Sequence, residues 1–158
     1  MQTIQIIDQK FKKSMNARKR SVAVCVFYDG RGNVLLQERK SISKAGEQWG
    51  LFGGGLEDSE DYISALKREL NEEIEGLPNN LKFEKLCKMH VIYFNHKENN
   101  YVELDKQVFK AKIPHNLQVS VIEGDGARWF SYSKAKIQNM IPGNAEAVTF
   151  LEKTQNTR

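Results

Sequence analysis

Three glutamates near the middle of the chain, Glu69, Glu72 and Glu73, have the type and spacing of groups that could do chemistry together. Placed on a helix they stand at positions i, i+3 and i+4, so their side chains share one face. Like charges this close weaken a helix, and divalent cations with oxygen ligands are natural candidates to offset the repulsion. An acidic face exposed to water would show the same spacing, so the helix alone leaves both interpretations open.

The helix that must carry these carboxylates is predicted over Glu60–Glu75. We expect Asp58 or Ser59 to cap its N-terminus and Gly76 to end it. An apolar stripe would lie beside the carboxylate face and pack on a sheet. It consists of Ile63, Leu66, Leu70 and Ile74.

A wider pattern joins this helix to the glycine-rich segment before it. Gly54, Glu60 and the run Arg68–Glu73 (RELNEE) have the order and spacing of the Nudix box. The segment Trp49–Gly54 is also similar to the strand and glycine turn that precede the box in many members. On these residues the chain resembles the Nudix hydrolase superfamily.

Two features depart from the family's pattern. Glu75 stands where the box has glycine, and Gly76 comes one place late, which a helix extended by one residue would accommodate. Ser59 replaces a frequent glycine in the loop. None of these is a ligand position of the box, so the departures concern loop geometry and not metal binding.

The resemblance implies a pyrophosphohydrolase that depends on Mg²⁺, with Mn²⁺ as the other candidate ion, and cleaves the diphosphate bond of a nucleoside diphosphate linked to a group X. A nucleoside triphosphate is the leading substrate class, and dinucleoside polyphosphates and nucleotide sugars are the enzymatic alternatives. A Nudix-fold regulator that binds nucleotides without catalysis is the alternative of another class. Such proteins usually have eroded box acids, and here the acids are intact.

The box also implies roles for its residues. Glu73 and Glu72 resemble the principal metal ligands, and Glu69 resembles a further ligand or the base that deprotonates water. Arg68 and Glu60 resemble the ion pair that orients those ligands.

Three residues outside the helix are further candidates for the site. The Gly54 carbonyl would support the metal. Glu123 resembles a downstream loop acid that serves as extra ligand or base, although an exposed turn acid is an equal alternative. Arg39 resembles a substrate-facing arginine and suits phosphate by its bidentate geometry, with a surface ion pair as the competing explanation.

Two residues are candidates for contact with the base. Asn144 follows Trp129 by fifteen positions, which resembles the placement of a base-reading asparagine in the family. An asparagine before Ala145 is also a good helix N-cap, and we favour the cap. The neighbourhood of Leu51 lacks the aromatic residue that would sandwich a purine there, and Trp49 could substitute for it.

The remaining segments predict an α+β protein with the Nudix fold, a mixed β-sheet between helices (α/β/α). The apolar run Ser21–Tyr28 indicates a strand buried on both faces. Residues 1–20 are expected to form a basic N-terminal arm, and residues 21–158 a single Nudix domain. The cysteines, Cys25 and Cys87, lie in strand-like runs and are expected to be buried, reduced thiols.

The composition is that of an ordinary globular protein, with 40% hydrophobic and 28% charged residues. No apolar run reaches the roughly 18 residues that span a bilayer, and the first ten residues lack a leader pattern, so we expect a cytoplasmic protein without a membrane partner. The helix region is strongly acidic whereas the whole chain has a net charge of +4, a distribution that suits a metal and a small-molecule polyanion. Nucleic acid is not expected, since the basic stretch Lys10–Arg20 lacks interleaved aromatic residues. Monomer and homodimer both stay open.

Overall fold

The computed structural model describes residues 2–156, which form ten strands and three helices. The strands are β1 (Thr3–Ile7), β2 (Ala17–Tyr28), β3 (Asn33–Glu38), β4 (Trp49–Gly50), β5 (Phe52–Gly55), β6 (Ile74–Glu75), β7 (Glu84–Asn95), β8 (Asn100–Lys112), β9 (Ser120–Val121) and β10 (Gly126–Ser131). The helices are α1 (Tyr62–Glu73), α2 (Tyr132–Lys136) and α3 (Asn144–Asn156). Within residues 2–156 no helix is long and apolar enough to cross a membrane.

Most strands belong to one mixed sheet with the order β1-β7-β8-β2-β3-β10. The pairs β1–β7 and β2–β8 are parallel, while β7–β8, β2–β3 and β3–β10 are antiparallel. β4 pairs with β3, and β5 pairs with β2, which brings the glycine-rich turn to the middle of the sheet. The expected mixed sheet is therefore confirmed.

Strand β2 separates two layers of core. Val22, Val24 and Val26 face a cluster that includes residues of α2 and α3, whereas Cys25 and Phe27 face the cluster that includes α1. A strand covered on both faces needs apolar residues at every position, which explains its unbroken apolar run. Helices on both sides of the sheet confirm the α/β/α arrangement.

Both cysteines are buried and reduced, as expected. Burial raises the pKa of Cys25, in β2, well above its ordinary value, and raises the pKa of Cys87, in β7, to about 11. Both thiols therefore stay protonated and pack as small apolar groups.

The predicted boundary between an N-terminal arm and a domain starting at residue 21 is wrong. β2 begins at Ala17 and runs without a break to Tyr28, so the boundary falls inside one strand. The first half of β2 is charged and does not have the apolar pattern of a buried strand, because Arg18 reaches outward to an ion pair with Glu98 at 2.7 Å. The earlier segment Thr3–Ile7 is also ordered and pairs with β7.

The predicted start of α1 is also wrong. The N-cap is Asp61, whose side chain accepts a hydrogen bond from the amide of Ser64 at 2.8 Å, and not Asp58 or Ser59. Ser59 instead has a φ of 64°, the left-handed conformation that a glycine adopts easily. Serine thus takes the backbone shape expected of the glycine it replaces.

The helix ends at Glu73, two residues earlier than predicted. Ile74 and Glu75 are extended and pair with β9, so the backbone bonds of β6 replace another helical turn. Gly76 does not cap the helix. Its φ is 99°, and a Cβ at this position would lie 2.5 Å from the carbonyl oxygen of Gln118, so glycine is required by close backbone approach.

Candidate active site

Glu73 is the last residue of α1, and only 2% of its surface is exposed. Its Oε1 accepts a hydrogen bond from the amide of Gly53 at 2.8 Å, and its Oε2 accepts one from Gln37 Nε2 at 3.3 Å. Burial raises the pKa of Glu73 from 4.5 to about 7, and the negative charge of Glu69 adds to this shift. A buried carboxylate that faces neutral donors is a group that a cation would stabilise.

The glycine turn of β5 brings Glu69 close to the same backbone. A Cβ built on Gly54 would overlap the carboxylate of Glu69, so this side chain fills the space that glycine leaves open. Gly53 has a φ of 137°, and a Cβ there would overlap the carbonyl oxygen of Ala23. Glu69 and Glu73 therefore meet the turn at two consecutive glycines.

Arg68 joins α1 to the loop that precedes it. Its Nε and Nη2 donate to the two carboxylate oxygens of Glu60 at 2.8 and 2.9 Å, and Nη2 also donates to the Gly55 carbonyl at 2.9 Å. The hydrogen bonds from Arg68 lower the pKa of Glu60 to about 2. The structure thus brings the two residues of the expected ion pair together in bidentate geometry.

The remaining guanidinium nitrogen of Arg68 faces the carboxylates of the helix. Nη1 lies 3.0 Å from Glu69 Oε1 and 3.5 Å from Glu72 Oε1. The side chain of Glu72 is 54% exposed, so it stands at the outer end of the group. Among residues 2–156, no three histidine, cysteine, aspartate or glutamate side chains already converge on one metal position. The expected ligands share a face, but Glu69 and Glu72 point toward Arg68.

A chain of hydrogen bonds connects Glu73 to the loop after β3. Gln37 is fully buried, and its Nε2 contacts both Glu73 and, at 2.6 Å, the carbonyl of Glu123. The Oε1 of Gln37 accepts from Arg39 Nη1 at 2.7 Å. Arg39 Nε then donates to buried Glu47 at 3.1 Å. Arg39 is thus held in place at the site rather than forming a mobile surface ion pair.

Glu123 lies in the loop between β9 and β10. The backbone amides of Ile122 and Glu123 donate to the Glu73 carbonyl at 2.7 and 3.3 Å, so the loop is tied to the end of α1. The residue itself is exposed and lines the same cavity as Glu69. The structure therefore places this loop acid beside the helix carboxylates.

Most of the candidate residues line one cavity of about 180 Å³. Its charged and polar lining residues, together with the glycines of the turn, include Arg20, Arg39, Lys44, Glu47, Gly53, Gly54, Gly55, Glu69, Glu73, Lys106, Glu123 and Asn144. Its apolar and aromatic lining residues are Val22, Val24, Trp49, Leu51, Tyr93, Leu104 and Ile141. Glu72 and the Arg68–Glu60 pair do not line the cavity.

Two of the polar residues that line the cavity are deeply buried. Lys106 is 4% exposed and Asn144 is 5% exposed, and Lys106 Nζ donates to Asn144 Oδ1 at 2.9 Å. Burial lowers the pKa of Lys106 to about 8. Lys106 was missed in the sequence, although it interrupts the inward alternation of Leu104 and Val108 in β8, which is a detectable signal.

The favoured interpretation of Asn144 as a helix cap is wrong. Glu146 Oε1 accepts a hydrogen bond from the amide of Gly143 at 3.2 Å, and the Gly143 carbonyl accepts from Ala147 at 3.0 Å. Gly143 thus holds the cap position, and Glu146 three residues later makes the one bond of a capping box that does not need a side chain at the cap. The side chain of Asn144 is left to face Lys106 in the cavity.

Trp49 lines the cavity, but its ring is already in contact with other side chains. Phe130 packs edge-on against it with ring centroids 5.0 Å apart, and the Arg128 guanidinium lies 5.6 Å from the ring centroid. These contacts leave Trp49 less of its ring to stack on a base than the sequence suggested.

The family model of the NUDIX domain matches residues 17–151. A protein of Proteus vulgaris named 8-oxo-dGTP diphosphatase is 42% identical over 60 residues, which are 38% of this chain and 54% of that protein, so the match spans about half of the relative. The E. coli dihydroneopterin triphosphate pyrophosphohydrolase has a TM-score of 0.71 at 19% identity, covering 90% of this chain and all of the other. The NUDIX domain of Shewanella oneidensis NrtR, in complex with ADP ribose, has a TM-score of 0.63 at 18% identity, covering 93% and 92%. At these identities the two structures show a shared fold.

Proposed function

The chain belongs to the Nudix hydrolase family, and from this premise we propose that it is a divalent-metal-dependent pyrophosphohydrolase acting on a nucleoside triphosphate. The observation that carries the proposal is that one cavity is lined both by the box carboxylates Glu69 and Glu73 and by apolar side chains, which are Val22, Val24, Leu51, Leu104 and Ile141. A nucleotide needs both environments at once, because its phosphates are charged while its base is flat and largely apolar.

Three basic side chains in the lining of the cavity support binding of a polyphosphate. Arg20, Arg39 and Lys44 all line the cavity. Arg39 is already fixed by Gln37 and Glu47, so little conformational entropy remains to be lost when its guanidinium binds phosphate.

The residues present fit a divalent cation. Glu73 is buried with a raised pKa, and a nearby cation would stabilise its charged form. Glu69, Glu72 and Glu73 would hold Mg²⁺ or Mn²⁺ together with the carbonyl of Gly54, once Glu69 and Glu72 turn away from Arg68. When bound, the metal supplies charge neutralisation for the diphosphate and increases the acidity of coordinated water.

The chain's own residues would orient and activate the attacking water. Glu123, exposed at the cavity, is the carboxylate proposed to accept its proton when Glu69 binds the metal, and Glu69, beside the glycine turn, is the alternative acceptor when it does not. Arg68 would act through Glu69, since its Nη1 lies 3.0 Å from that carboxylate while Glu60 holds the other side of the guanidinium. Arg68 and Glu60 are thus positioning residues.

The curated relative supports the substrate class. Its name describes a deoxynucleoside triphosphate as substrate, and the identity of 42% over the matched residues is above the level at which only the fold is comparable. Because the match covers 38% of this chain, the base must be inferred from the cavity itself.

The test is a panel of nucleotides assayed with Mg²⁺ and with Mn²⁺: dGTP, dATP, UTP, diadenosine tetraphosphate, ADP-ribose and UDP-glucose. Products are resolved by ion-exchange chromatography, and kcat/KM is compared with that of the Glu73→Gln variant. We expect a triphosphate to be the best substrate and to yield pyrophosphate. A higher kcat/KM for a dinucleoside polyphosphate or a nucleotide sugar would replace the proposed substrate class. Nucleotide binding without turnover by the folded wild type would indicate a non-catalytic regulator.

A further inference from the structure

We propose that Lys106 sets the base preference of the cavity by occupying the amide oxygen of Asn144. The Lys106–Asn144 pair then offers the ligand two hydrogen-bond donors. These donors select a purine with an oxo group at C6, as in guanine or hypoxanthine, over adenine. This inference rests on the proposed function, because it names the base class bound in the same cavity.

Lys106 lies in the middle of the sheet and faces α3. It lies in β8 between Val22 of β2 and Met89 of β7, so the sheet fixes its backbone on both sides. Its side chain points into the layer that carries α3, where Nζ meets Asn144 Oδ1 at 2.9 Å. A lysine is costly to bury, and here its ammonium lies at the wall of the nucleotide cavity rather than in water.

The contact with Lys106 fixes the orientation of the Asn144 side-chain amide. An ammonium group has only donors, so Asn144 must present its oxygen to Lys106. The backbone amide of Asn144 is bonded to the Ile141 carbonyl at 3.2 Å, which helps to hold the residue at the start of α3. With Oδ1 engaged, Asn144 offers a ligand its Nδ2, which can only donate.

Adenine and guanine differ in the hydrogen-bond donors and acceptors on the edge of the base. An unconstrained asparagine presents a donor beside an acceptor and matches the amino group and N7 of adenine, whereas lysine matches the O6 and N7 acceptors of guanine. Two adjacent donors belong to the second pattern. An adenine amino group placed against Lys106 and Asn144 Nδ2 would meet only donors from these two residues, and the unmade bonds would weaken binding.

The test measures dissociation constants by isothermal titration calorimetry without metal, so that base recognition is separated from hydrolysis. The probes are dGMP, dIMP and dAMP, of which the first two carry the 6-oxo group. We expect wild type to bind dGMP and dIMP about tenfold or more tightly than dAMP, the discrimination typical of a well-formed pair of base contacts. Equal affinity for the three probes would overturn the proposal.

Lys106→Met removes the donor and releases Asn144 Oδ1 while keeping an unbranched side chain. The ratio of dAMP to dGMP dissociation constants should fall to within about threefold, mainly through weaker dGMP binding. The matched control is Lys110→Met, which removes a buried lysine four residues along the same strand that contacts Tyr28 and does not line the cavity. It should keep the wild-type ratio, and an unchanged ratio in Lys106→Met would contradict the inference.

Asn144→Asp is an independent second variant that does not depend on how Lys106→Met folds. A carboxylate keeps the contact with Lys106 but replaces the Nδ2 donor with an acceptor, so dAMP should gain affinity relative to dGMP. A preference that stays with dGMP in this variant would also overturn the proposal. Selective binding of dGMP by a wild type that hydrolyses no triphosphate would remove the proposed activity and leave the role of Lys106 standing.

Discussion

The amide of Gly53 donates a 2.8 Å hydrogen bond to Glu73 Oε1, and this bond joins the last residue of α1 to the glycine turn of β5. The bond therefore fixes the helix end against the turn. Because the donor is neutral, the bond orients the carboxylate without supplying a positive charge to balance it.

Glu73 should make the stability of the metal-free protein depend on pH. Its folded pKa of about 7 lies above the ordinary 4.5, so the folded protein binds a proton that the unfolded chain releases in this range. Stability from this group is fully present below pH 4.5 and is lost as the pH rises through 7, by up to about 3 kcal/mol. Urea unfolding in EDTA between pH 5 and pH 8 measures the slope.

Glu73→Gln should flatten this part of the slope, and Mg²⁺ should stabilise wild type more at pH 8 than at pH 5. The control is Glu152→Gln, which breaks an ion pair with Lys136 that lies outside the cavity and should keep the slope. The same slope in Glu73→Gln would show that another group is responsible.

The two glycines of the turn should respond differently to alanine. Gly53→Ala forces a side chain onto the Ala23 carbonyl at a φ of 137°, and we expect a loss of at least about 2 kcal/mol in unfolding free energy. Gly54→Ala displaces only the carboxylate of Glu69, a flexible side chain, so the protein should stay folded while turnover drops about tenfold or more. Thermal unfolding and kcat together test this, and normal turnover in Gly54→Ala would mean that Glu69 is not needed at the turn.

Arg68→Ala should lower kcat/KM about 10- to 100-fold, because Glu69 and Glu60 lose the group that orients them. Arg68→Lys should restore activity only in part, since lysine keeps the charge without the bidentate contact. The pKa of Glu60, held at about 2, should move back toward 4.5 in the alanine variant, which a carboxyl NMR titration can follow. The control is Lys67→Ala, which changes the exposed neighbouring residue and should keep wild-type activity. Wild-type activity in Arg68→Ala would mean that the ion pair with Glu60 is not needed for catalysis.

Glu123→Gln should lower kcat by tenfold or more with little change in KM, if its carboxylate accepts a proton in the transition state. Glu75→Gln changes another exposed acid that does not line the cavity, and it should behave as wild type. An unchanged kcat in Glu123→Gln would make Glu123 a turn residue.

Several features of the fold could be predicted because they depend on local sequence. The unbroken apolar run ending at Tyr28 indicated a strand covered on both faces, and the i, i+3, i+4 spacing placed Glu69 and Glu73 on one helical face. The cap at Gly143 also has a signal in the sequence, since Glu146 lies three residues later, at the spacing from which its carboxylate accepts a bond from the amide of the cap residue. The cap propensity of asparagine points to Asn144 instead, because propensity alone does not include this contact.

Other features depend on partners that are distant in sequence. α1 ends at Glu73 because Ile74 pairs with Val121, which no helical pattern reveals. Lys106 acquires its role from Asn144, 38 residues later and in a different element. Periodicity shows that a charged residue faces inward, but it does not show which side chain it will meet.

The parallel pairing of β2 with β8 has a consequence for how the protein folds. Ala17 lies opposite Tyr101, 84 positions later in the chain, so the centre of the sheet forms only after a long loop has closed. Such non-local pairing slows folding, and both strands contribute walls of the cavity, through Val22 and Leu104. A nucleotide bound between these strands should therefore stabilise the folded protein alone, because the unfolded chain does not bring the two walls together.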